Sequence, residues 1–327
     1  MSIRRGRDRD GEAEKRSSML PVLLIIINAS VFSIGGIGED QGIFNTGFQR
    51  ASGRAQIEFT LCPEFNILNE GSDFRNIFWT NPFVFNLRIP ATKDISFSLG
   101  NKERYNQAFD VYLEQDPLVM HLKGEGGVEE IYCQVNGYAG NYAEALFRGG
   151  LLFGSAREVW TYTMNEYSNS DTFLYTYRGQ IFSGGIRVLL FSLFFEGLGD
   201  LTMTKDSSDS LVNLPERLSI GLEPIIGGYQ FQVLLEHSFW SDSLSPSRFK
   251  VGVGKANYGF SYFYNPWYLN GIKEHGIILT GTLPISNIGF CTLDLKSSLR
   301  SRGSLKEFRI VPEIKFSVEE VFGRRRK

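Results

Sequence analysis

Three histidines, three cysteines and scattered serines are the residues from which this 327-residue chain could build a nucleophilic or metal site. His237 precedes Ser238, which invites a base-and-nucleophile reading. A serine nucleophile needs its base within hydrogen-bond reach, yet neighbours on a strand point to opposite faces. His237 also shares its parity with apolar residues, which gives it an interfacial position. No serine lies in a Gly-x-Ser-x-Gly elbow. Cys62, Cys133 and Cys291 lie far apart, without metal or Cys-x-x-Cys spacing, and read as small apolar residues. Gly124, Gly126 and Gly127, and the pair Gly184-Gly185, lack the Lys-Ser/Thr of a phosphate loop. Strand kinks account for them better. Asp206 to Asp209 lacks calcium-loop spacing and reads as a solvated turn. These residues assign no catalytic, cofactor-binding or metal site, so the chain reads as a non-enzyme without a cofactor. They leave the ligand-binding residues unknown.

The elements that would position any site are strands. Phe308, Ile310, Pro312, Ile314, Phe316 and Val318 take one parity, while Arg309, Val311, Glu313, Lys315 and Ser317 take the other. Side chains alternate across a strand, so this segment has one apolar and one largely polar face. Its length matches the ~9–11 residues that carry a tilted strand across a bilayer. Similar alternation starts at Phe83, Ile95, Ile131, Phe173, Leu218, Phe231, Phe249, Tyr258 and Ile277. In the Phe173 segment, Phe173, Tyr175 and Tyr177 form the apolar face, against Thr176 and Arg178. Asn101 to Lys123 reads as a polar surface loop. Ile186 to Phe195 is apolar on both faces, and Ile288 to Leu295 slips phase near Thr292, as at a bulge. Short joints at Gly227-Gly228, Lys255-Ala256 and Ser286-Asn287 alternate with longer polar ones, as in an outer-membrane barrel.

Composition agrees. The chain has 35 Gly, 27 Phe and 14 Tyr, which favours an all-β architecture. A mean hydropathy of -0.14 does not exclude a membrane protein, because a barrel needs apolar residues only at alternate positions. One strand per roughly 20 residues gives an antiparallel transmembrane β-barrel of about 14 strands. The polar parity carries mostly Gly, Ser, Thr, Asn and Gln, which suits a narrow, filled lumen. Trp160, Tyr162, Trp240, Trp267 and Tyr268 are placed as interfacial girdle residues.

Residues 1–33 read as an export signal: Arg4, Arg5, Arg7, Arg9, Lys15 and Arg16 precede the apolar core from Leu20 to Ile27. Residues 34–80 read as an irregular segment that could plug the lumen, 81–322 as the barrel and 323–327 as a basic tail. On an exported chain that tail faces the periplasm, not nucleic acid.

Four stretches resemble the FadL-type outer-membrane transporters of hydrophobic compounds, in the divergent branches that include PorV-like barrels. They are LPERLSIGLEP at 214–224, YFYNPWYLNGIKEHGIILTGTLPI at 262–285, RGSLKEFRIVPEIKFSVEEVF at 302–322 and, more weakly, GEGGVEEIYCQVNGYAGNYAEALFRGGLLFG at 124–154. The resemblance implies a 14-stranded barrel, an N-terminal hatch in the lumen and diffusion of apolar ligands such as long-chain fatty acids. Two departures stand against it: no Asn-Pro-Ala hatch signature lies near 34–80, and the chain ends in Arg324-Arg325-Arg326-Lys327 rather than an aromatic residue. The expectation is a passive carrier of a hydrophobic small molecule in the outer-membrane lipid bilayer. The alternative is a non-conducting adaptor barrel that binds exported proteins.

Overall fold

A computed structural model describes residues 25–26, 39–40, 47–48, 54–70, 73–80, 84–115, 117–205, 208–212, 214–239, 246–267, 271–285 and 288–320. Alternating apolar residues and tight turns give an antiparallel meander with no helix among these residues. The wall strands are β1 (Ala55–Leu61 and Pro63–Glu70), β2 (Asp73–Thr80 and Val84–Pro90), β3 (Ile95–Asn106 and Phe109–Gln115), β4 (Leu118–Ala139) and β5 (Ala143–Met164). Next come β6 (Tyr167–Val188), β7 (Phe191–Lys205), β8 (Ser208–Val212, Glu216–Leu222 and Ile225–Ile226), β9 (Tyr229–Phe239) and β10 (Ser247–Lys255). The last four are β11 (Tyr258–Pro266), β12 (Lys273–Ile285), β13 (Gly289–Arg302) and β14 (Leu305–Glu320). Each pairs with the next, and β14 returns to β1 through Ile314 opposite Leu61 and Ile310 opposite Phe65. The result is a closed 14-stranded antiparallel barrel, as the sequence indicated.

The exterior is apolar. Phe59, Phe97, Ile131, Phe147, Leu235 and Phe316 are all exposed on it. The expected register of β14 holds: Phe308 and Phe316 face out, while Arg309 is buried. Lys315 pairs with Asp294 and Glu313 on the inner side. The turns at Gly140–Tyr142, Leu189-Leu190, Gly227-Gly228 and Ala256-Asn257 lie at one end, together with Ala55 and Glu320. At the other end β4, β5 and β6 run on as 22-residue strands, about twice the length needed to cross a bilayer.

Four readings of the sequence change. Most of 55–80 is strand, not irregular chain. Ile57, Phe59, Leu61, Phe65 and Ile67 do alternate there, but Cys62 interrupts the ladder and charges mask the pattern. Asn101 to Lys123 is almost wholly strand, because the charges of β3 point into the lumen. Ile186 to Phe195 spans a two-residue turn that resets the phase, so Ile186 and Phe191 both face out. The ladders of β13 run without a register shift, so no bulge lies near Thr292. Of residues 1–33 only Ile25–Ile26 is described, and the 323–327 tail lies outside the described residues.

Candidate functional site

The lumen wall is built by inward residues that the ladders bring to one level. Lys102 on β3 lies opposite Glu130 on β4. Arg148 on β5 lies opposite Ser183 on β6, Ser183 opposite Glu196 on β7, and Glu196 opposite Arg217 on β8. Glu236 lies opposite Arg248, and Glu274 opposite Arg300. A belt of charge therefore rings the interior, and its members are almost completely buried.

Its bonds fall into groups. Arg104 makes a two-pronged contact with Glu196 at 2.7 and 3.0 Å. Arg148 Nε donates to Glu130 at 3.0 Å, and Arg217 Nη1 to Glu196 at 3.2 Å. Across the barrel, Glu274 accepts from Ser298 at 2.7 Å and Arg309 at 3.3 Å, and pairs with Arg300 and Lys296 at 3.4 Å. Arg309 also binds Glu64, which ties β14 to β1. Arg248 donates to Glu236 at 3.1 Å. Fork-shaped Arg–carboxylate contacts are the strong kind of hydrogen bond. Such a belt presents no continuous apolar route along the axis.

Toward the long-strand end the lining becomes apolar. Tyr105, Val128, Leu152, Ala156, Tyr177, Ile181 and Leu201 pack as one buried cluster, with Tyr175, Met203, Val212 and Leu214 half-buried at its edge. Farther out, the Trp160 and Phe173 rings meet edge-on at 5.5 Å, and Lys205 Nζ stands 4.3 Å from the centre of the Phe173 ring. Burial pushes the carboxyl of Glu158 above its usual range, and the Tyr175 phenol is raised first by burial and then by Glu158.

This lining corrects the expected faces of β6. Tyr175 and Tyr177 point inward, while Leu174 is exposed outside. Counted from the tight-turn end at Val188, these residues lie past the roughly 9–11 that carry a strand across a bilayer, and here the larger apolar side chains turn in. A signal existed: along β6 the apolar parity switches from Phe182, Ile186 and Val188 to Phe173, Tyr175, Tyr177 and Ile181.

Among the described residues, β2 and β3 are only partly paired beside this cluster. β2 and β3 pair only from Asn86 opposite Gly100 to Pro90 opposite Ser96. Among the described residues, no ladder joins Asp73–Thr80 to β3. There β3 bends inward: Gln107 accepts from the Tyr177 hydroxyl at 2.9 Å, although Tyr177 lies three strands away on β6. Gly126, at φ +105, permits the bend in β4, and the Gln107 N–H donates to its carbonyl at 2.9 Å. The free edge of β3 is partly taken by the N-terminal segment, with Glu39–Asp40 opposite Asn106 and Tyr105, and Ile25–Ile26 opposite Tyr112 and Val111. Gly47 and Phe48 lie in the lumen on the turn side of the belt. Gln134 donates to the Gly47 carbonyl at 2.8 Å, and the Phe48 and Phe194 rings meet at 6.3 Å.

The histidines form no joint site. His237 faces out and bonds Ser247 at 2.8 Å, while Ser238 is fully buried inside. His275 bonds the Tyr262 hydroxyl at 2.8 Å. Trp267 is not a girdle residue: it is buried, 4.5 Å from the Arg300 guanidinium. Trp240 and Tyr268 lie outside the described residues. Among the described residues no group of His, Cys, Asp or Glu is placed to hold a metal.

No protein-family model matches the chain, and no curated protein matches it. Solved structures do. The P. putida toluene transporter TodX is 10% identical with a TM-score of 0.50, over 82% of this chain and 90% of that one. The TodX monoaromatic hydrocarbon channel deltaS2 mutant is 8% identical with a TM-score of 0.50, over 85% and 92%. This chain has the FadL-type fold. The likeness lies in the FadL-type barrel itself, and at this identity no residue role passes from one chain to the other.

Proposed function

We propose that this protein is an outer-membrane barrel that passively carries a hydrophobic small molecule, a long-chain fatty acid or a similar compound. The observation that carries the reading is the apolar cluster at the long-strand end, with a charged belt beneath it and, beside it, a stretch where no described ladder joins β2 to β3. An apolar molecule gains roughly 25 cal/mol per Å² of surface removed from water, so it collects at that cluster. The belt opposes axial passage, because an apolar solute there would displace paired charges without replacing their bonds. The unzipped stretch between β2 and β3 leads sideways into the bilayer, where an apolar molecule is already at home. The long strands then face outward from the cell and the tight turns face the periplasm. That neighbouring structures are named for toluene and monoaromatic hydrocarbons supports the apolar class of cargo.

Flux of labelled dodecanoate and of toluene into vesicles holding the refolded barrel tests this. Wild type should exceed empty vesicles for at least one of them. Leu152→Glu puts a charge in the apolar cluster and should lower that flux about tenfold or more, with the barrel still folded. The belt also suits a closed adaptor barrel. No flux of either solute, together with capture of a folded exported protein, would establish that second reading instead.

A further inference from the structure

The charges on one side of the belt do not balance. Lys102, Arg104 and Arg148 all lie within 3.5 Å of Glu130, and the first two also approach Glu196. Three cations thus share two carboxylates, and Arg217 draws on Glu196 as well. All three are more than nine-tenths buried. Lys102 Nζ, Arg104 Nε and Arg148 Nη2 lack a hydrogen-bond partner among the described residues. A buried donor left unpaired is costly, and a charged one more so. Two guanidinium groups and an ammonium gathered around the single Glu130 carboxylate, in excess over the carboxylates they share, are the chemistry that recognises an oxyanion.

We propose that Lys102, Arg104 and Arg148 form a binding site for a free inorganic oxyanion of the phosphate or sulfate class. The anion bonds the three unfilled donors and neutralises the surplus charge. It also ties the bent strand β3, which carries Lys102 and Arg104, to β5, which carries Arg148. The site does not depend on the transport reading, because it concerns a bound ion and not a passing solute.

The test is equilibrium binding of radiolabelled phosphate to the folded full-length chain in non-ionic detergent at fixed ionic strength. Wild type should bind saturably, and sulfate should compete. Lys102→Gln and Arg148→Gln should each weaken binding about tenfold, the loss of one charge-assisted bond. Ser183→Asp places a carboxylate directly between Arg148 and Glu196 in the ladder, supplies the missing charge from the wall and should abolish binding. Circular dichroism and the gel mobility of the unheated barrel report whether each variant is folded. Absence of saturable binding by folded wild type overturns the proposal, as does unchanged affinity in folded Lys102→Gln and Ser183→Asp. Displacement of phosphate by dodecanoate but not by dodecanol would give the site to an acidic head group and overturn its assignment to a free ion.

Discussion

Glu274 is fully buried and stands among Arg300, Arg309, Lys296 and Ser298. Removing one partner of a buried ion pair strands the others, which costs about 3–5 kcal/mol. Glu274→Gln should lose stability on that scale in urea-driven unfolding from lipid vesicles. A loss under about 1 kcal/mol would show the cations to be solvated in the lumen. The outer face of β14 gives a second expectation. Ile314 lies near the middle of its apolar band and Val318 near the turn end. Ile314→Arg should cost about 2–4 kcal/mol and Val318→Arg about 0–1, the depth dependence of a charge on a barrel's lipid face. Equal costs would contradict the placement of β14 in the bilayer. The inward position of Arg309 and Lys315 was legible from parity alone. That Arg309 binds Glu64 was not, because register between residues so far apart leaves no local trace.

β3 is the least regular part of the wall and the part the sequence hid best. Lys102, Arg104 and the neighbouring polar residues suggest a solvated loop when hydropathy is read in isolation. They form a strand because carboxylates from β4 and β7 meet them inside the barrel. The parity switch within β6 was visible, but its meaning depends on where the bilayer ends, and that is a property of the assembled wall. The bend in β4 beside β3 requires Gly126: an added Cβ would lie 2.1 Å from the Ser155 carbonyl oxygen, at a φ that side chains avoid. Gly126→Val should therefore cost on the order of 3 kcal/mol. Limited proteolysis should show cleavage between β3 and β4 in the variant before any in wild type. Cleavage first in another hairpin would show that the strain is relieved elsewhere.

On the scale of the whole molecule, the strand number follows from chain length and spacing, and the structure agrees with it. The N-terminal segment divides: 55–80 joins the wall, Glu39–Asp40 pairs with the edge of β3, and Gly47 and Phe48 enter the lumen. A refolded chain lacking residues 1–48 should melt within about 3 °C of the full chain, since it loses only the two short pairings with β3 and keeps the ladders between β1 and β14, but should pass apolar solute faster. Flux equal to that of the full chain would show that this segment does not restrict the path.

The seam between β14 and β1 bears on how the barrel assembles. It joins Ile314 to Leu61 and Ser317 to Glu58, which lie 259 positions apart in the second case, so it is the least local ladder among the described residues. Contacts of long sequence separation form late, because the loop they close must first be ordered. At that stage nothing in the two apolar faces distinguishes the correct alignment from one displaced by two residues, which keeps the same sides in and out. The buried pair of Arg309 and Glu64 does distinguish them, because a displaced seam parts Glu64 from Arg309 and leaves Arg309 with Glu274 alone. The same pair that fills the lumen in the finished barrel thus proofreads its closure.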